Sequence, residues 1–396
     1  MKITKQQNPR KRLKNLLQRQ VKPPVISLYI PTSPVWQNNE KAQIHLKNKT
    51  DEIEKLLKKS TLPASKINDL LKPLKKIQQN TTFWQEQKDG LAIFRSETYT
   101  EMIKFPKNVD AQFYVSDIPN VKPLVPYVFG SSTYYVLALS YSHITLYRGV
   151  NRNWEKKEPT VMPEDIEETL RTHDIQSQLQ RHPAGGARPG EKPTQRAHGH
   201  GSQESAIDEQ QKVFLDEVDW ALNHFVTDIE DDKRPLVILA ADTELYNKFS
   251  DFGKYPNLAD DYVEGNPEEA AAEDILKEAW KIVKDRIDEK RMDFVDSYKE
   301  HKASEQVVEG LEKVAPAAFE EKISVLFVNP SRTIWGNYSV ENRGAIVEEE
   351  RGFTNRDLVN FLVVKTLLSG GEIVPLTDAM STELNLKDDL GAILRF

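Results

Sequence analysis

Apolar residues recur along the chain in two rhythms. Short unbroken runs bounded by Pro, Gly, Asn or Ser mark strands: VISLYI at 25–30, GLAIFR at 90–95, YYVLALS at 134–140, HITLYR at 143–148, PLVILA at 235–240 and ISVLFV at 323–328. Spacings of three and four mark helices. Residues 40–59 turn Ile53, Leu56 and Leu57 inward and leave Lys47, Lys49, Lys55, Lys58 and Lys59 to solvent. Residues 65–80 put Ile67, Leu70, Leu71, Leu74 and Ile77 on one side. Further helices are expected over 10–19, 243–249, 307–314 and 355–368, a long one from Pro267 to about 297, and an acidic helix or turn over 164–170. Further strands are expected over 102–105, 112–115, 372–375 and 390–396. Asp242, just ahead of its helix, reads as an N-cap, and Trp220, Trp280 and Trp335 read as core or interface aromatics.

One stretch keeps neither rhythm. RHPAGGARPGEKPTQRAHGHGSQES, beginning at Arg181, holds Gly185, Gly186, Gly190, Gly199 and Gly201 and the cations Arg181, Arg188, Lys192 and Arg196. It cannot bury enough apolar surface to offset its ordering entropy, which predicts a mobile arm. A helix follows, with Ile207, Phe214, Val218, Ala221 and Phe225 on its apolar face and Ser205 with Asp208 as a capping box. A basic arm on an amphipathic helix is placed to reach something acidic.

Composition sharpens that reading. The chain of 396 residues is long for one core, and its charged fraction of 29% is ordinary for a soluble globular protein. It has no cysteine, which excludes disulfides, thiolate metal sites and thiol catalysis and fits a reducing cytoplasm. No run reaches the ~18 apolar residues of a membrane span, and the first twenty residues lack a signal-peptide core. The net charge of −7 hides an imbalance: residues 1–125 carry 23 Lys and Arg against 11 Asp and Glu, while residues 126–396 carry 31 against 50. A basic first third on an acidic body is the footprint of a polyanion-binding end.

Order and composition divide the chain into a basic α+β first domain (1–125), an α/β middle domain with the Gly/His arm (126–265) and an α/β third domain (266–396). With these segments in place the chain resembles the archaeo-eukaryotic class-1 release factors and Pelota, and more closely the bacterial archaeo-eukaryotic release factor families. The resemblance is carried by SLYIP at 27–31 before a basic helix, by the glycine loop ending in Gly201-Ser202-Gln203 before a long helix, and by the closing GAILRF at 391–396. It implies a first domain at the ribosomal decoding site, a ribonuclease-H-like middle domain carrying a Gly-Gly-Gln loop to the peptidyl-transferase centre, and a third domain that binds a translational GTPase or another factor. Partners would be the ribosome, its rRNA and bound tRNA; the place, the cytoplasm. Two departures stand out. Gly185-Gly186 is followed by Ala187, so there is no Gly-Gly-Gln, and Lys47-Asn48-Lys49-Thr50 stands where the family's codon-reading Asn-Ile-Lys-Ser is expected.

Hydrolysis of peptidyl-tRNA needs a placed water and donors aimed at the developing oxyanion. Gly199, Gly201 and Gln203 are the candidates for these parts, with His198 or His200 for proton transfer. Lys47, Lys49, Lys55, Arg181, Arg188, Lys192 and Arg196 are the candidate RNA contacts. Two readings stand: a rescue enzyme that hydrolyses peptidyl-tRNA on stalled ribosomes, and a non-catalytic binder of idle ribosomes, as in hibernation. An RNA-binding protein not tied to the ribosome is a third. His198-x-His200, near His182 and His173, lacks a fixed carboxylate or third ligand, so no metal is expected. The run 185–192 fails as a phosphate loop, because Glu191 sits where lysine is required. Nothing in the chain calls for a cofactor.

Overall fold

Val25–Pro31 (β1) is buried on both faces, as its unbroken apolar run requires, and lies inside a sheet of order β3-β2-β1-β4. Its partners are Gly90–Arg95 (β2), Thr100–Phe105 (β3) and Gln112–Ser116 (β4), all antiparallel to their neighbours. The helices Asn39–Lys58 (α2) and Ala64–Gln79 (α3) pack together on one face, and a shorter helix, Pro9–Leu17 (α1), precedes them. In this computed structural model residues 9–19, 21–129, 133–172, 201–229, 234–302, 304, 306–350, 352 and 355–396 are described.

The second sheet runs β7-β6-β5-β8-β9. Thr133–Leu139 (β5), Ile144–Val150 (β6) and Asn153–Lys157 (β7) form an antiparallel meander; Leu236–Ala241 (β8) lies parallel to β5, and Val263–Glu264 (β9) parallel to β8. In chain order this is 3-2-1-4-5 with the last two strands parallel to the first, the ribonuclease-H-like arrangement the resemblance implies. Gly149 faces Tyr134 across the ladder, and a Cβ there would lie 2.2 Å from the Tyr134 ring, which is 1% exposed. Gly149→Ala is therefore expected to destabilise this sheet by about 1–3 kcal/mol by overpacking. A thermal melt checks it; an unshifted transition would mean that the ring has room to move.

The last third forms two sheets. Val307–Glu309 (β10), Ile323–Val328 (β11), Glu372–Pro375 (β15) and Leu390–Leu394 (β16) order as β10-β16-β11-β15, so the closing GAILRF is an interior strand. Trp335–Ser339 (β12), Gly344–Val347 (β13) and Arg356–Asp357 (β14) make a small sheet of order β13-β12-β14. The chain gathers into two compact units: Ser132–Asp288 is one, and Pro9–Ser131 with Glu289–Phe396 is the other. The first and third expected segments thus share a unit. The architecture is mixed α/β and α+β, as expected.

Several local expectations are corrected. Residues 307–314 are not one helix: 307–309 pair with β16, and Gly310, at φ +76, turns the chain into the helix Gly310–Phe319. The long helix starts at Ala272, not at Pro267, because Asn266 closes a turn with the N–H of Glu269. The arm helix starts at Gly201, so Ser205 and Asp208 lie inside it rather than at its cap. Ile207 is 52% exposed and so lies outside the core; Trp220, read as a core or interface aromatic, is 56% exposed, which removes only the first alternative. The helix expected from Asn355 is Leu358–Leu368, capped by Asp357 on the N–H of Val359. Asp242 caps its helix as read, accepting from the N–H of Leu245 at 2.8 Å.

Candidate nucleic-acid interface

The lysines of α2 and α3 face outward because the other sides of both helices are committed. Ala42, Leu46, Ile53 and Leu57 of α2 and Ile67, Leu70, Leu71 and Leu74 of α3 join Ile26, Leu28, Ile30, Leu91 and Ile93 of the sheet in one core. At three-and-four spacing this leaves no other orientation for the remaining side chains. Pro73 interrupts α3 and cannot donate to the carbonyl of Asp69. The guanidinium of Arg95 supplies that donor, at 2.8 Å to Asp69 O and 3.1 Å to Leu70 O. The indole N–H of Trp84 pins the far end, donating to Ile77 O at 3.0 Å.

Lys47, Lys55 and Lys58 of α2, Lys59 just past its end, and Lys66, Lys72, Lys75 and Lys76 of α3 are exposed. Lys72, Lys75 and Lys76, with Asn68, Asp69 and Gln79, line a shallow cleft of about 370 Å³. Glu54 ties the two helices together, accepting from Lys58 at 2.7 Å and from Lys75 at 3.0 Å. Those hydrogen bonds, Lys58's first, lower its carboxyl pKa. Lys47, Lys55, Lys59, Lys72 and Lys76 form no ion pair with another described residue, so their charge is available to a ligand. Lys49 differs from the solvent-facing position expected of it: it is half-buried, bonded to both Glu52 oxygens at 3.0 Å, with its ammonium 6.0 Å from the Phe113 ring. The α3 cluster was legible in sequence as lysines recurring opposite the Ile67–Leu74 face. The clasp of Glu54 across two helices had no local signal.

Of the arm's candidates, Arg181, Arg188, Lys192, Arg196, His198, Gly199 and His200 lie outside the described residues. Gly201 is the first residue of the helix Gly201–Ile229 and Gln203 falls in its first turn. Phe214, Leu215, Val218, Leu222 and Val226 seat this helix against Tyr135, Leu137, Leu239, Leu245 and Phe249. Asp219, 5% exposed, accepts from the N–H groups of Lys254 and Tyr255 at 3.0 Å each. From Phe214, the first fully buried of its described side chains, back to Gly201 the helix spans roughly 20 Å. At its root Lys248 donates to Gln211 at 2.6 Å and Glu244 at 2.8 Å, and the bond to Glu244 raises its pKa. Among the described residues no three His, Cys, Asp or Glu side chains are grouped to hold a metal.

Residues 133–322 match the family model described as bacterial archaeo-eukaryotic release factor family 3. No curated protein matches the chain. Among solved structures, an archaeal translation termination factor, aRF1, is similar at 16% identity over 98% of this chain and 97% of that one, with a TM-score of 0.23. Archaeoglobus fulgidus Pelota is similar at 16% identity over 77% and 79%, with a TM-score of 0.27. Dom34 of S. cerevisiae, a translation termination-like factor that interacts with Hbs1, is similar at 12% identity over 75% and 72%, with a TM-score of 0.35. Superpositions this loose transfer no geometry.

Proposed function

We propose, for a chain whose residues 133–322 match the model of bacterial archaeo-eukaryotic release factor family 3, that it is a cytoplasmic translation factor entering the A site of stalled or idle ribosomes. The observation that carries the reading is the lysine face of α2 and α3, held rigid by its own core. Such a face neutralises RNA phosphates and releases their counterions. In this reading the basic first domain (1–125) sits at the decoding centre, the arm and its helix reach the peptidyl end of tRNA, and the third domain (266–396) receives a translational GTPase or another factor. Codon reading is not part of it, since Lys47-Asn48-Lys49-Thr50 offers charge rather than the family's codon-reading tetrapeptide. No described helix is long and apolar enough to cross a membrane.

At the peptidyl end, Gly199 and Gly201 would let backbone N–H groups approach the ester carbonyl. Gln203 would orient the attacking water, and His198 or His200 would move its proton. The missing Gly-Gly-Gln favours a second reading, in which Arg181, Arg188, Lys192 and Arg196 dock the arm on rRNA and no ester is cleaved. Purified ribosomes carrying peptidyl-tRNA separate the two. Cleavage by the intact protein that falls at least tenfold in Gln203→Ala, and disappears when residues 173–200 are deleted, makes it a hydrolase. Tight binding without cleavage makes it an occupier. Failure to co-sediment with ribosomes at low salt would remove both and leave an RNA-binding protein of another kind.

A further inference from the structure

A tryptophan stands in the open at the start of the lysine face. Trp36 is 57% exposed, Val35 54% and Ile44 57%. Trp36 opens the short 3-10 turn Trp36–Asn38, which runs directly into α2, and Glu40, Ile44 and Lys47 follow it along the outer surface, with Lys41 and Asn48 alongside. The mount is rigid. Asn39, 1% exposed, accepts from the N–H of Ser33 at 2.8 Å and donates to Ser33 O at 2.8 Å and Trp84 O at 3.0 Å. Thr32 is tied to the neighbouring strand entry through Asp89 O at 3.0 Å and Lys88 O at 2.6 Å. Among the described residues no aromatic ring meets the indole.

The surrounding charge selects the occupant. Lys41, Lys47 and Lys55 on the exposed side of α2, with Lys59 just past its end, outnumber Glu40, Asp51 and Glu52, and α3 adds Lys72 and Lys76. An apolar protein face would leave the unpaired lysines of this surface without a counter-charge. A polyanion with flat π-faces satisfies both the indole and the ammonium groups. We propose that Trp36 stacks an unpaired base of a single-stranded RNA segment whose phosphates run over Lys41, Lys47 and Lys55. The site rests on the RNA-binding reading above and adds the class of RNA. Duplex RNA keeps its bases stacked inside and has none to offer Trp36. Stacking of this kind is tolerant of base identity, so the site reads strandedness rather than sequence.

The test uses the full chain, a labelled single-stranded RNA of about twelve nucleotides, its duplex, and purified ribosomes. Trp36→Ala should weaken single-strand binding about tenfold while Trp36→Phe keeps it within about threefold. Duplex binding and the melting temperature should be unchanged, because the indole is outside the core. Single-strand binding that ignores Trp36→Ala overturns the proposal. So does a loss of self-association in that variant without a change in RNA binding, which assigns the face to a second copy. The two readings fail separately. Trp36-dependent binding to the single strand without ribosome binding removes the ribosomal function and leaves this site. Ribosome and single-strand binding that are both indifferent to Trp36 remove this site and leave that function.

Discussion

Lys122→Met should cost the unit built from residues 9–131 and 289–396 about 3–5 kcal/mol. Lys122 and Asp357 are each 1% exposed and pair at 2.7 Å. The ammonium also donates to Arg332 O at 2.5 Å and Thr333 Oγ1 at 2.7 Å. Asp357 caps the helix Leu358–Leu368 through the N–H of Val359 at 3.1 Å and accepts from Asn120 at 3.3 Å. Asn360 completes the clasp, accepting from the N–H of Val121 at 2.8 Å and donating to Pro119 O at 3.1 Å. Removing the lysine leaves the buried Asp357 carboxylate without its counter-charge, with only the Val359 and Asn120 donors remaining, which accounts for the size of the loss. Burial is the largest influence on Lys122 and lowers its pKa; Asp357 opposes it. With a folded pKa below the unfolded one, the charged lysine weakens the fold at neutral pH, and this contribution improves as pH rises through the folded value toward the ordinary one. Replacing both residues, Lys122→Met with Asp357→Leu, should recover most of the loss apart from about 1 kcal/mol of capping. Urea unfolding of the two single variants and the double variant gives the coupling. If the double variant lost as much as the two singles added together, the pair would not be acting as a unit.

Ribosome binding should fall about 100- to 500-fold between about 50 and 200 mM salt if Lys47, Lys55, Lys72, Lys75 and Lys76 each neutralise one phosphate, at a slope of ~0.7–0.9 per contact. Lys75 contributes only by exchanging its bond to Glu54 for a phosphate, whereas Lys72 and Lys76 have no such partner to release. Charge reversal at Lys72, Lys75 and Lys76 together should flatten the logarithmic slope by about two to three units and weaken binding at low salt at least a hundredfold. Reversal at Lys277, Lys281 and Lys284 on the long helix Ala272–His301 is the control, changing the same net charge elsewhere. Sedimentation across a salt series reads both. Equal losses from the two triple variants would show that net charge, not this face, governs the association.

The strands at 25–30, 90–95 and 323–328 were legible because each is an apolar run of strand length between turn residues, whatever it pairs with. The lysine face was legible for the same reason: once Leu46, Ile53 and Leu57 turn inward, Lys47 and Lys55 are sent outward by helical geometry alone. Asp242 was legible as a cap because capping involves only the next few residues. Periodicity failed where the deciding partner was distant. Residues 307–309 read as the first turn of a helix and became a strand because β16 offers them a ladder. WGNYS and GAIV are too short and too polar to announce the small sheet they form. Ile207 fits the apolar stripe of the arm helix yet stays exposed, because its end of the helix rises beyond the core that buries Phe214.

By itself, the sequence determined the strands, the inner and outer faces of the helices and the uneven charge, since each is a property of neighbours in the chain. Only the tertiary structure decided that the first and third segments share a unit, with Asn120 meeting Asp357 across 237 positions. Tertiary structure also raised Lys72, Lys75 and Lys76 beside α2 and left Trp36 on a rigid mount in water. Which buried charge finds which partner, and which aromatic finds none, is settled by burial and long-range pairing, on which local spacing is silent.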